Sequence, residues 1–129
     1  MAITLEKLYP GKLEHSFLDV LIKKYTTTEN RTLLGAKVGE DATVIDMGEH
    51  YLVAKTDPIT FATENIGRYA VHVNANDIIC MGATPKWFLA TILLPEGATR
   101  KLAESIFAQI GNTCAAEKIA YCGGHTEVT

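Results

Sequence analysis

Apolar residues in this chain change spacing several times, and each change marks an element. Between Lys12 and Tyr25 they fall at Leu13, Phe17, Val20, Leu21 and Tyr25, three and four apart, which predicts an amphipathic helix starting after Pro10-Gly11. Thr26 to Arg31 is polar and reads as a loop. Ala42 to Asp46 and Tyr51 to Lys55 are rich in β-formers and flank Gly48-Glu49-His50, the pattern of a hairpin. Pro58 has no N–H to donate and ends regular pairing after the second of these strands.

Helical spacing returns over Ile66 to Met81, through Ile66, Ala70, Val73, Ile78 and Met81, with Gly82 placed to cap the end. Trp87 to Leu94 is apolar at both parities between Pro85 and Pro95, as in a strand covered on both faces. Thr99 caps a helix that carries Leu102, Ile106, Ile110 and Cys114 at four-residue steps. Ile119 to Cys122 reads as a short closing strand. The expected order is α-β-β-α-β-α-β. That implies an α+β fold, a four-stranded mixed sheet with both crossover helices on one face. The other sheet face is then open and apolar, to be covered by the N-terminal helix or a second copy, and a symmetric dimer is the favoured solution.

Composition narrows the class. With 129 residues, 47% apolar and 21% charged, the chain suits one soluble domain that buries a real core. The net charge of −3 and the scattered Lys and Arg give no basic stripe, which argues against a nucleic-acid partner. No secretory signal is visible. Apolar runs reach only about eight residues, against roughly 20 needed to span a bilayer, so no membrane span and a cytoplasmic location are expected. The three cysteines, Cys80, Cys114 and Cys122, lack metal spacing and read as buried free thiols.

The candidate chemistry is acidic. Asp41 follows Gly39-Glu40 at a strand start, and Asp57 sits in Thr56-Asp57-Pro58 at a strand end. Either could be an ordinary turn carboxylate. Asp77 lies three residues after Asn74, so the two share a helix face near Val73, Ile78 and Met81. A carboxylate at that apolar boundary calls for a cation or hydrogen bonds, unless the face is simply a solvated stripe. Acids at comparable positions suit a hard divalent cation such as Mg²⁺, which reaches proteins through one or two carboxylates plus substrate phosphates. Gly123-Gly124 can offer backbone N–H groups to those phosphates. His125 follows them, either as a phosphate or acid-base group or as an exposed loop histidine. P-loop, dinucleotide-fingerprint and nucleophile-elbow motifs are absent, and the four histidines are too dispersed for a zinc signature.

Six ordered segments resemble the aminoimidazole ribonucleotide synthetase-related superfamily, which includes thiamine-monophosphate kinase, selenophosphate synthetase and a hydrogenase maturation protein. They are Gly39-Glu40-Asp41-Ala42-Thr43-Val44-Ile45, Thr56-Asp57-Pro58-Ile59-Thr60, Asn65-Ile66-Gly67, Asn74-Ala75-Asn76-Asp77-Ile78, Met81-Gly82-Ala83-Thr84-Pro85 and Gly123-Gly124-His125-Thr126-Glu127. Pro10-Gly11-Lys12-Leu13 looks like the start of the hydrogenase expression/formation protein E-like branch. Residues 1–34 read as an N-terminal helix and loop, and the resemblance, which covers residues 35–129, implies that these form an ATP-binding N-terminal domain. It also implies a homodimer whose paired sheets close into a β-barrel.

Carried over by position, Asp41, Asp57 and Asp77 look like the metal acids. Asn74, Gly123, Gly124, His125 and Thr126 look like nucleotide contacts, with ATP and Mg²⁺ as cofactors. Other maturation proteins are candidate partners. Two departures stand out. Thiamine-monophosphate kinases usually show paired aspartates where Glu40-Asp41 stands and an Asp where this chain has His125. The maturation protein works through a C-terminal cysteine, whereas this chain ends Val128-Thr129. A substrate domain is also expected beyond Thr129, so the chain reads as a piece of a longer ATP-dependent enzyme. Alternatives are the N-terminal half of a small-molecule phosphotransferase, or a non-catalytic dimerisation module.

Overall fold

The computed structural model describes residues 6–60 and 64–129. It contains, in chain order, α1 (His15–Tyr25), β1 (Thr32–Leu34), β2 (Thr43–Asp46), β3 (Tyr51–Ala54), α2 (Ile66–Cys80), β4 (Trp87–Leu94), α3 (Arg100–Ala116) and β5 (Ala120–Val128). The chain forms two compact units, residues 1–52 and 53–129.

In the first unit α1 forms within the expected span, but its half-buried face runs through Leu18, Leu21 and Ile22, while Phe17, Val20 and Tyr25 of the expected stripe are exposed and no residue of the helix is buried. β1 pairs antiparallel with β2, Thr32 opposite Ile45 and Leu34 opposite Val44. The hairpin expected around Gly48-Glu49-His50 is present. The Met47 amide donates to the His50 carbonyl (2.9 Å), and the Gly48 amide donates to the Asp46 carboxylate (2.9 Å) at a positive φ of 96°.

In the second unit β4 and β5 run parallel, joined through α3. One face of this pair carries the core, where Val71 of α2, Ile110 and Cys114 of α3, Ile92 and Leu94 of β4, and Ile119 cluster. Both crossover helices therefore supply one core, as the chain order implied. The buried stripe of α2 runs through Gly67 and Val71, with Ala75 packed against the core, one position off the expected Ile66-Ala70 line.

Small residues explain the offset. A Cβ at Gly67 would lie 2.8 Å from the Gln109 Cβ, 2.9 Å from the Ile106 carbonyl oxygen and 3.0 Å from an Ile110 side-chain carbon, so α2 and α3 approach through this glycine. The Gly67 amide also donates to the Gln109 side-chain oxygen (2.9 Å). One of the open N–H groups of the α2 start is thus capped from α3, since Asn65 makes no side-chain cap. Gly67→Ala is expected to lower stability by up to about 2 kcal/mol in urea denaturation. Overpacking of about 1–3 kcal/mol outweighs a helix-propensity gain of about 1 kcal/mol.

Both helix ends are closed in the same way. The Gly82 amide bonds the Ile79 carbonyl and the Ala83 amide bonds the Ile78 carbonyl, a Schellman motif with Gly82 at φ 78°. α3 repeats it with the Lys118 amide on Ala115 and the Ile119 amide on Cys114, but here the left-handed residue is Lys118, at φ 57°. Lys118→Gly should therefore raise stability in urea denaturation by about 0.5–1 kcal/mol, because removing left-handed strain exceeds the added unfolded-chain entropy. At the start of α3 the Thr99 hydroxyl accepts from the Leu102 amide (3.1 Å), as expected of its cap.

Three expectations need correction. The four-stranded mixed sheet is instead five strands in two sheets, one ordered β1-β2-β3 and one formed by β4 and β5. The extra strand, β1, has three residues, too short to show a period, and chain order does not say which strand edges pair. The closing strand is longer than expected: β5 runs through Gly123-Gly124-His125-Thr126-Glu127 to Val128. The double glycine there resembles loop sequence but lies in a paired ladder. Only Cys114 of the three cysteines is buried, while Cys80 at the helix end and Cys122 on β5 are exposed.

Candidate functional site

Lys55, Thr56 and Asp57 leave β3 and run past α2. The Asn74 side-chain amide donates to the Asp57 carbonyl (3.0 Å) and to the Ala70 carbonyl one turn back (2.8 Å). One turn further on, the Asp77 carboxylate meets the Lys55 ammonium at 2.7 Å. The same Nζ stands 3.7 Å from the Asp57 carboxylate. The shared face of Asn74 and Asp77 thus meets the 55–57 segment through two separate contacts. The Lys55 side chain is 9% exposed, against 25% for Asp77 and 43% for Asp57.

This geometry suits a cation. Two carboxylates already converge on one positive centre, and their hard oxygen donors are those Mg²⁺ takes. The Asn74 side-chain oxygen is buried without a hydrogen-bond partner among the described residues. Such an orphan costs free energy unless a ligand or water satisfies it. No group of three or more His, Cys, Asp or Glu is gathered for a metal among the described residues. Asp41 belongs to the first unit, exposed and just before β2.

The second cluster lies on β5. Its register shifts between Phe88 and Leu89, so that Tyr121 opposes Phe88 while Gly123 opposes Leu89, leaving Cys122 as the extra residue. The shift puts Gly124 opposite Ala90, at φ 143° and so close that a Cβ would stand 1.9 Å from the Ala90 carbonyl oxygen. Gly123 is less constrained, with the tip of Leu89 3.0 Å from where its Cβ would be. Gly124 is therefore needed for strand packing, whatever else the pair does.

Gly123 to Thr126 line a cavity of about 280 Å³ together with Ala90, Phe107 and Tyr121. His125 and Glu127 face the same side, and His125 Nε2 pairs with the Glu127 carboxylate at 2.8 Å. His125 is thus an exposed strand residue rather than a loop residue. Below them, burial pushes up both the Cys114 thiol, with Cys122 adding to it, and the Tyr121 hydroxyl, with Cys114 adding to it. Cys114 is accordingly a neutral core filler, not a nucleophile.

Lys55 is the residue that sequence reasoning passed over. Its signal was a lysine ending the apolar run Tyr51-Leu52-Val53-Ala54, but its partner Asp77 lies on an element far along the chain.

Known proteins share this arrangement of sequence. The family profile described as AIR synthase related protein, N-terminal domain, matches residues 39–129. A Methanocaldococcus jannaschii protein named for hydrogenase expression/formation is 30% identical over 92% of this chain and 37% of its own length. Thiamine-monophosphate kinase of Aquifex aeolicus is 26% identical over 74% of this chain and 34% of its own. Carbamoyl dehydratase HypE of Escherichia coli is 32% identical over 56% of this chain. The chain thus spans about a third of the length of the first two relatives. A solved thiamine-monophosphate kinase structure complexed with AMPPCP and TMP has a TM-score of 0.74 and 22% identity, covering 95% of this chain and 41% of that one, which shows a common fold. With the profile covering most of its length, the chain belongs to the AIR synthase related family and carries the N-terminal domain of those proteins.

Proposed function

We propose that this chain binds ATP with Mg²⁺ and forms the nucleotide-binding, dimerising part of an ATP-dependent enzyme of the hydrogenase-maturation type. The observation that carries this reading is the convergence of Asp57 and Asp77 on one cationic position, with the buried Asn74 oxygen, which has no partner among the described residues, one turn before Asp77 on α2. Asp57 and Asp77 would hold the metal. Asn74 keeps the 55–57 segment on α2, and Gly123, Gly124, His125 and Thr126 would contact the nucleotide. Asp41 enters on its motif alone. When bound, Mg²⁺ would neutralise phosphate charge, and catalysis at such a site rests on positioning more than on a nucleophile.

The known fold neighbour holding an ATP analogue supports the nucleotide, and the relative named for hydrogenase expression/formation supports the branch. Dimerisation is supported by the sheet face opposite the core, where Trp87, Leu89 and Leu93 are 65%, 69% and 59% exposed. No helix among the described residues is long and apolar enough to cross a membrane. The test is ¹⁵N–¹H shift mapping with Mg²⁺–AMPPCP. Amides of Thr56, Asp57, Asn74, Asp77 and Gly123 to Thr126 should move on one binding isotherm. Shifts confined to other residues would refute the assignment.

A second reading, phosphoryl transfer to a thiamine monophosphate-like acceptor, is favoured by the 26% identity to the Aquifex kinase. ATP turnover that depends on that acceptor, assayed in a protein containing this domain, would select it over the first.

A further inference from the structure

Lys55 occupies the position that the metal would need. A Mg²⁺ ion bound to Asp77 would sit about 2.1 Å from a carboxylate oxygen, and the Lys55 ammonium already lies 2.7 Å from Oδ2 of that carboxylate. Both cations draw on the same carboxylate, and two positive charges so close repel strongly in a partly buried site. The Lys55 side chain is nine-tenths buried and also lies 3.7 Å from Asp57, so it is held rather than waving in solvent.

We infer that Lys55 is an internal counter-ion that gates the metal site: it holds the two carboxylates together when no ligand is present and must be displaced for a divalent cation to bind. Removing the ammonium from its carboxylates is costly unless it gains another anion. Free metal offers none, whereas a metal–nucleotide complex brings phosphate oxygens. The gate therefore disfavours bare divalent cations and favours the metal–nucleotide complex. This inference rests on the proposed role of Asp57 and Asp77 in holding the cation.

The test uses Mn²⁺ as probe, with free Mn²⁺ read by electron paramagnetic resonance for the whole chain, with and without AMPPCP. Lys55→Met should bind Mn²⁺ alone about tenfold more tightly than the unaltered chain, the factor expected when one charge-assisted hydrogen bond no longer has to be broken. The gain should vanish in Lys55→Met combined with Asp77→Asn, and AMPPCP should strengthen Mn²⁺ binding less in Lys55→Met than in the unaltered chain. Should Lys55→Met not fold, Lys55→Gln keeps a donor toward Asp77 without the positive charge and should also bind Mn²⁺ more tightly than the unaltered chain, by a smaller factor. In the unaltered chain, acetylation of Lys55 by an amine-reactive reagent should rise relative to Lys86 when saturating Mn²⁺ is added.

Mn²⁺ affinity in both uncharged variants equal to or below that of the unaltered chain would overturn the gate. If the unaltered chain still bound Mn²⁺–AMPPCP in that case, the cation-site reading would survive alone. If neither form bound Mn²⁺ with or without AMPPCP, both ideas would fall.

Discussion

Asp77→Asn is expected to abolish Mg²⁺-dependent nucleotide binding and to cost about 1.5–3 kcal/mol of stability, the range for losing a hydrogen bond between charged groups. The change is isosteric, so it tests charge rather than shape. It removes the negative charge from the side chain whose oxygen lies 2.7 Å from the Lys55 ammonium, in a pair where Lys55 is 9% exposed and Asp77 25%. Asp57→Asn provides the contrast. Its carboxylate is 3.7 Å from the same ammonium and 43% exposed, so solvent screens it and the stability cost should be about 0.5 kcal/mol. Both variants should lose metal-dependent binding, because each removes one of two hard ligands. Urea denaturation and fluorescence titration with a labelled ATP separate the two effects. Equal stability losses, or unimpaired metal-dependent binding in Asp77→Asn, would contradict this assignment of roles.

The second large effect is at Gly124. Gly124→Ala should destabilise the chain by about 3 kcal/mol or more, a large part of the 5–15 kcal/mol that holds a typical domain. Two terms add. The backbone stands at φ 143°, a region that costs a residue with a side chain about 1–3 kcal/mol. The new methyl group would also lie 1.9 Å from the Ala90 carbonyl oxygen, which belongs to the paired strand and cannot swing aside. Gly123→Ala should cost only about 1 kcal/mol, since its obstacle at 3.0 Å is the flexible end of Leu89. Thermal unfolding of both variants without nucleotide decides the point. If Gly124→Ala melted like the unaltered chain, the glycine would serve ligand approach alone.

Those two predictions show what could be read in advance. The three-residue spacing of Asn74 and Asp77 puts both on one helix face, and both do reach the 55–57 segment. Local periodicity sufficed there because both residues sit on one helix. Lys55 escaped notice for the opposite reason, since its partner is 22 positions away on another element and no local pattern encodes that contact. Gly123-Gly124 was recognisable as a motif, but glycine's weak strand preference hid its place inside β5. The apolar run of β4 correctly implied an apolar outer face at Trp87, Leu89 and Leu93.

This chain is expected to bind nucleotide through a metal held by Asp57 and Asp77. Calorimetric titration with ATP in Mg²⁺, repeated with ATP in EDTA, tests it most directly. Saturable binding in Mg²⁺ that is lost in EDTA is the predicted result. Affinity unchanged by EDTA, or no binding in either condition, would contradict it.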